Sequence, residues 1–197
     1  MIVVVPANEA SWTDLTAVLG SARCHGAPCY CQRFKLPGRR WAEVGDGERA
    51  DRLREQTACE QPGDRPTSGL VAYLDGEPVG WCSVEPRTAF PGLLNSRLPW
   101  AGRTEDKADD GVWVIACLIT RVGYRRRGVS GVLAAAAVGF ARERGARALE
   151  AYGMITNPAR EITWGELHVG SANALADAGF TEVSRPSKRR VVMRVEL

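Results

Sequence analysis

Residues 112–145 hold a strand, a glycine-punctuated basic turn and a helix in immediate succession, and few folds accept that order. Val112 to Thr120 is an unbroken β-rich apolar run, Tyr124 to Arg127 is a basic turn, and Val129 to Arg144 is an Ala-rich helix closed by Gly145. Leu149 to Tyr152 adds a short strand, so the unit reads β-loop-α-β with a parallel strand pair. A parallel pair joined through a helix calls for an α/β (α+β) architecture, with helices covering a mixed sheet.

The flanking segments extend that sheet. Residues 2–5 read as a first strand, and Ser11 to Arg23 carries Trp12, Leu15, Val18 and Leu19 at helical spacing behind Ser11 or Asn8 as cap. Glu48 to Cys59 reads as a second helix, ended by Pro62-Gly63. Leu70 to Leu74 and Pro78 to Val84 flank Asp75-Gly76-Glu77, and Asp-Gly supplies the positive-φ turn of an antiparallel hairpin whose strands are both largely buried. Residues 86–110, with Pro86, Pro91, Pro99 and the charged run Arg103 to Asp110, read as a mobile flap or loop. Ser171 to Ala178 is a short helix stopped by Gly179-Phe180. Thr181 to Ser184 begins a final strand pair that reaches Val195, with a turn near Pro186. No repeat or low-complexity linker interrupts the chain, which predicts one domain over residues 1–197 with loop insertions near 24–47, 86–110 and 154–170.

Composition narrows the function classes. With 197 residues, 45% hydrophobic and 25% charged, the chain has material for a core, which excludes collagen, coiled coil and disorder. A net charge of +3 gives too weak a pull on anions for a nucleic-acid-coating protein, so no nucleic-acid partner is expected. Twenty-three of the 26 basic residues are Arg, as a GC-rich coding genome produces, and the bias is assigned no function. The run Met1 to Val5 has no basic flank and stops at Pro6, too short for a signal sequence or membrane span. A cytoplasmic, bacterial-type protein without a membrane partner is therefore expected. In that compartment the six cysteines would be thiols or metal ligands rather than disulfides. Cys82 and Cys117 lie in apolar strands and read as core residues. Cys24-His25, Cys29 and Cys31 lack a regular ligand spacing and a second Cys/His pair, so no metal site is assigned. Trp81, Trp100, Trp113 and Trp164 read as core or pocket wall.

The turn before the Ala-rich helix, Gly123-Tyr124-Arg125-Arg126-Arg127-Gly128-Val129-Ser130-Gly131, has a physical route to binding pyrophosphate. The first turn of a helix leaves N–H groups without partners, and its dipole favours negative charge there. Gly128 and Gly131 permit close approach, and three arginines add charge-assisted contacts. An ordinary solvated turn with basic decoration is the plain alternative. A P-loop would need Gly-Lys-Ser/Thr at its end, and a dinucleotide fingerprint a different glycine spacing.

With those residues in place, the sequence resembles the GNAT superfamily of acetyl-CoA-dependent N-acetyltransferases, whose signature Arg/Gln-x-x-Gly-x-Gly/Ala lies between a central strand and a helix. Arg125-x-x-Gly128-x-Ser130 matches it except that Ser stands in the last position, with Gly131 next. The resemblance extends through the order of elements from about residue 2 to 197, including the Gly179-Phe180 pair. It implies a twisted mixed sheet that splays between the 112–120 and 149–152 strands, with acetyl-CoA as cosubstrate in the V. Pantetheine would pair with backbone near Leu118 and Thr120. Pyrophosphate would sit on the amides of Arg126, Arg127, Gly128, Val129, Ser130 and Gly131, beside Arg125. The connector bearing Tyr30 and Phe34 would pack over the acceptor pocket.

Acetyl transfer to an amine needs a neutral nucleophile, a route for its proton, and donors for the developing oxyanion. The family's carboxylate on the central strand is missing between Gly111 and Thr120. Its Tyr four residues before Gly-Phe is replaced by Leu175. Candidates near the open end of the V are Glu85, Tyr152 and His168, with proximity and solvent as another route. The expected function is acetyl transfer to a primary amine of a small molecule or protein. A catalytically weak acyl-CoA-binding or regulatory module and a Cys/His metal module are the alternatives. The oligomeric state is open, a homodimer included.

Overall fold

A computed structural model describes the chain except Ser21, His25, Gly26, Arg39, Asp64, Arg65, residues 158–161 and Thr163, and describes the backbone alone of Arg23, Cys24, Ala42 and Trp164. In chain order the elements are β1 (Ile2–Pro6), α1 (Trp12–Leu19), β2 (Arg23–Cys24), β3 (Ala27–Pro28), α2 (Gln32–Lys35), α3 (Arg40–Glu43), α4 (Asp46–Thr57), β4 (Gly69–Leu74) and β5 (Glu77–Pro86). There follow α5 (Pro91–Leu94), β6 (Val112–Thr120), α6 (Val129–Glu143), β7 (Ala148–Ala151), α7 (Trp164–Leu167), α8 (Ala172–Asp177), β8 (Thr181–Ser187) and β9 (Arg190–Glu196). Seven strands form one sheet in the order β1-β4-β5-β6-β7-β9-β8, and β2 pairs with β3 in a small ladder of its own. Within the seven, β6 and β7 run parallel and the other neighbours antiparallel, as the crossover through α6 requires.

Local chemistry sets these boundaries. Ser11 caps α1 in a reciprocal capping box with Asp14. Asn8, the other candidate cap, instead donates its side-chain amide to the carbonyls of Gln61 and Gly63. Asp75 and Gly76 both take positive φ (53° and 85°), the two-residue turn expected between β4 and β5. The final turn lies near Pro186, as expected, and falls just after Ser187: Pro186 is accommodated within β8 and the Ser187 hydroxyl accepts from the Arg189 and Arg190 amides.

The largest correction concerns residues 86–110. The segment is packed, with 3-10 turns at Arg87–Ala89 and Leu98–Trp100 around α5, and Arg87, Phe90, Leu93 and Trp100 are buried. Two of its arginines are tied down. Arg87 donates to the carbonyls of Lys107 and Asp106, and Arg103 and Arg194 pair with the fully buried Glu150. A run that reads as solvated is thus tied down through a carboxylate on β7.

The sheet carries different cores on its two faces. Ile115 and Leu118 of β6 pack with Val129, Leu133, Ala137 and Phe140 of α6. Val114 and Ala116 pack with Phe90, Leu93 and Tyr152, and Cys117 and Ile119 with α1 and Trp81. Ser83 faces Cys117 while Val84 faces Ile115, so Ala116 is an additional residue in β6, a β-bulge. Parallel pairing of β6 with β7 ends one residue earlier, at Ile115–Ala151, while β6 runs on to Thr120. Bulge and fork coincide. No helix among the described residues is long and apolar enough to cross a membrane.

Candidate active site

Beyond Ile115 the fork opens into a groove of about 470 Å³. One wall is the end of β6 with the turn and first residues of α6: Leu118, Thr120, Arg125, Arg126, Gly128, Val129, Ser130 and Gly131 all line it. Arg127 does not; its guanidinium lies 5.5 Å from the Tyr124 ring centroid. The other wall is Ile162, Leu167, His168, Gly170 and Ser171, with Ala174 and Asp177 of α8. Of this second wall only His168 was a sequence candidate, because contacts between distant segments build the rest.

The turn is shaped by positive φ at Gly123 (91°), Arg126 (61°) and Gly128 (79°). Left-handed residues spaced like Arg126 and Gly128 gather successive N–H groups into an anion-binding concavity. A Cβ at Gly128 would meet no protein atom within 4 Å, so within the protein the demand for glycine is conformational. Ser130 lies with its hydroxyl 3.1 Å from that of Thr120, which ties the first turn of α6 to the end of β6. The serine that departs from the family signature thus has a structural partner.

Leu118 departs from expectation in one respect. Its side chain lines the groove, but its backbone N–H donates to the His168 carbonyl at 2.6 Å. Gly170 makes this approach feasible: it has φ +84°, and a Cβ there would lie 2.8 Å from Leu118 Cδ2. Residues 168–171 therefore cover part of the β6 edge that an extended ligand would use.

The candidate proton-transfer residues separate. His168 borders the groove, with its ring 6.1 Å from that of Phe34 and nearly parallel to it. Glu85 lies on the opposite face of the sheet, in the β5 position paired with Val114, and forms an ion pair of 2.5 Å with Lys35. Burial pushes the Glu85 carboxyl up and the Lys35 ammonium pulls it part of the way back. Tyr152 is also outside the groove lining. Its hydroxyl donates weakly to Glu150 at 3.4 Å, and burial, reinforced by that carboxylate, raises its pKa. Among the cysteines, Cys31 Sγ accepts from the Trp81 indole at 2.9 Å, while the Cys24 side chain and His25 lie outside the described residues. Cys82 and Cys117 are buried, as expected. Lys35, the partner of Glu85, carried no sequence signal, because the pair spans 50 positions.

Against known proteins, the sequence profile of the acetyltransferase (GNAT) family matches residues 35–161. A search of curated proteins finds no match. Solved structures share the fold at low identity. The ribosomal-protein-alanine N-acetyltransferase of Brucella melitensis is 18% identical with a TM-score of 0.56, covering 99% of either chain. An N-acetyltransferase from Staphylococcus aureus Mu50 is 12% identical with a TM-score of 0.57, covering 100% of this chain and 98% of its own. The Escherichia coli ribosomal-protein-S18-alanine N-acetyltransferase is 14% identical with a TM-score of 0.51, covering 100% and 94%. With the forked strand pair, the glycine-bearing turn and a profile match over most of its length, the chain belongs to the acetyltransferase (GNAT) family and is an N-acetyltransferase enzyme.

Proposed function

We propose that the protein moves an acetyl group from acetyl-CoA to a primary amine of a small molecule or a protein. The observation that carries this reading is the groove that starts at the β6–β7 fork and ends on the N-terminal turn of α6. An extended amide-bearing chain with an anionic end matches those two ends: strand backbone at Leu118 and Thr120, then a helix terminus flanked by Arg125 and Arg126. The family generally uses acetyl-CoA, which has this form and supplies the activated acetyl group when bound. Two of the structural neighbours are named as ribosomal-protein-alanine N-acetyltransferases, one of them for the ribosomal protein S18.

The chain's own residues then divide the work. The Arg126–Gly131 amides, with the Arg125 side chain, hold the phosphates; Arg127, turned onto Tyr124, contributes its backbone only. His168 borders the groove and stacks on Phe34, so a donor in the groove would have it on the side toward Phe34. Glu85, whose buried carboxyl holds its proton more tightly than an exposed one, is the group suited to take a proton from an incoming ammonium. Tyr152 keeps its proton at neutral pH, the state a general acid requires, although its hydroxyl is turned to Glu150. A thiol-release assay over a panel of primary amines, with acetyl-CoA binding measured in parallel, tests the proposal. Amine-dependent release supports it, and undetectable acetyl-CoA binding with no thermal shift at millimolar concentration overturns it.

A further inference from the structure

The Glu85–Lys35 pair is built into the fold. The last carbonyls of α2 lie directly on α5: a Cβ at Gly92 would fall 2.6 Å from the Leu36 carbonyl oxygen and 3.0 Å from that of Phe34. That contact fixes Lys35 over Phe90, with Nζ 4.5 Å from the ring centroid and 2.5 Å from Glu85 Oε2. Both side chains are nearly enclosed, at 10% and 17% exposure. A carboxylate and an aromatic face around one ammonium are the two groups that recognise an alkylammonium in a low-dielectric site. Removing two charges from water in this way stabilises the fold little, since desolvation offsets most of the attraction. The place is telling: Phe90 packs with Ala116, the bulge residue at the fork, and Phe34, beside Lys35, stacks on His168 of the groove.

We infer that Glu85 and Phe90 form the ammonium seat of the acceptor site, that Lys35 fills it from within when no acceptor is bound, and that the acceptor is an unbranched primary alkylammonium. This rests on the acetyl-transfer reading above and names its acceptor chemistry. An acceptor of this class reproduces the contacts of Lys35 one for one, so exchange leaves Glu85 paired. A neutral or bulky amine would leave the buried carboxylate alone. Acetylation then requires the ammonium to give one proton to Glu85 before its nitrogen attacks the thioester carbonyl; the C–S bond breaks as the amide forms, and the second nitrogen proton leaves with the CoA thiolate as the thiol.

Truncating Lys35 at Cβ removes the atoms of a propylammonium ion, which makes n-propylammonium the probe. In Lys35→Ala, and in Lys35→Ser as a second truncation, tens of millimolar n-propylammonium should raise the midpoint of thermal unfolding by about 2 °C or more. Neutral n-propanol should not. Adding Glu85→Gln to either truncation should abolish the rise. If a truncated protein is unfolded alone, recovery of its folded circular dichroism spectrum by n-propylammonium is the same positive result. No response to n-propylammonium, an equal response to n-propanol, or a response that survives Glu85→Gln overturns the inference. Acetyl-CoA binding, measured on the same samples, separates the two readings: binding kept without an amine response sinks the seat alone, and an amine response without acetyl-CoA binding sinks the donor assignment alone.

Discussion

Gly131 and Gly139 both lie inside α6, and a Cβ at either would meet nothing within 4 Å. As helix substitutions, Gly131→Ala and Gly139→Ala should therefore behave alike. Each replaces the residue with the largest backbone entropy loss by the best helix former, a gain of about 0.5–1 kcal/mol. In a chain of this length that raises the unfolding midpoint by about 1–4 °C. Only Gly131 lines the groove. If phosphates rest on the first turn of α6, the new methyl stands where an oxygen must approach and costs a charge-assisted hydrogen bond, about 1.5–3 kcal/mol. Gly131→Ala should thus be more stable than the parent yet bind CoA roughly tenfold or more weakly, while Gly139→Ala keeps the parent's affinity. The assay is calorimetric titration with CoA and with pantetheine, beside thermal unfolding of the free proteins. Pantetheine lacks the phosphates, so its binding should be indifferent to both substitutions. A folded Gly131→Ala protein that binds CoA as tightly as Gly139→Ala would refute the placement of the phosphates.

Three further perturbations probe other parts of the structure. Lys35→Met leaves Glu85 buried without its counter-charge, so its carboxyl pKa, already raised, rises further. A raised folded-state pKa contributes stability that is full below the ordinary carboxylate range and is lost as pH climbs through the folded value. The stability gap between parent and variant should therefore widen from pH 4 to pH 8, reaching about 3 kcal/mol, and a gap independent of pH would count against the buried pair. Arg87→Met should cost about 3 kcal/mol or more and expose residues 98–110 to limited proteolysis, because a fully buried guanidinium anchors the carbonyls of Asp106 and Lys107. Ser130→Ala restores the family signature but removes the contact with Thr120, and should lower stability by about 1 kcal/mol with little change in CoA affinity.

What the sequence disclosed follows the range of the forces involved. The β6 run, the Asp75-Gly76 turn, the Ser11 cap and the parallel crossover through α6 are local or periodic features, and the structure has each where residue pattern placed it. The wall formed by the end of β6 and the turn into α6 was legible for the same reason, as one continuous stretch of chain. The opposite wall and the Lys35–Glu85 pair arise from contacts between distant segments that no periodicity reports. Residues 86–110 misled because charge and proline normally mark solvated loops, whereas here Glu150, 40 residues beyond the segment, pairs with the buried Arg87 and Arg103. The bulge at Ala116 was hidden as well. Alanine fits a strand and a bulge equally, and only the register against β5 reveals the additional residue.

The fork also creates a conflict between folding and binding. Once β6 runs past the end of β7, its backbone from residue 116 onward needs new partners, and unpaired buried N–H groups are costly. The Leu118 N–H meets that need through the His168 carbonyl, on a segment that reaches it only because Gly170 has φ +84° and no Cβ. A donor that pairs with the same strand must displace this cover, and the work of displacement is subtracted from its affinity. Gly170→Ala should loosen the cover, since a left-handed alanine costs about 1–2 kcal/mol even before its contact with Leu118. The free protein should melt several degrees lower, while acetyl-CoA affinity is kept or rises by up to about tenfold. That pattern is opposite in stability to Gly131→Ala and lacks its loss of affinity. Titration of folded Gly170→Ala with acetyl-CoA decides the matter: affinity that falls in step with stability would show that residues 168–171 are a fixed wall of the donor site and do not compete with the donor for Leu118.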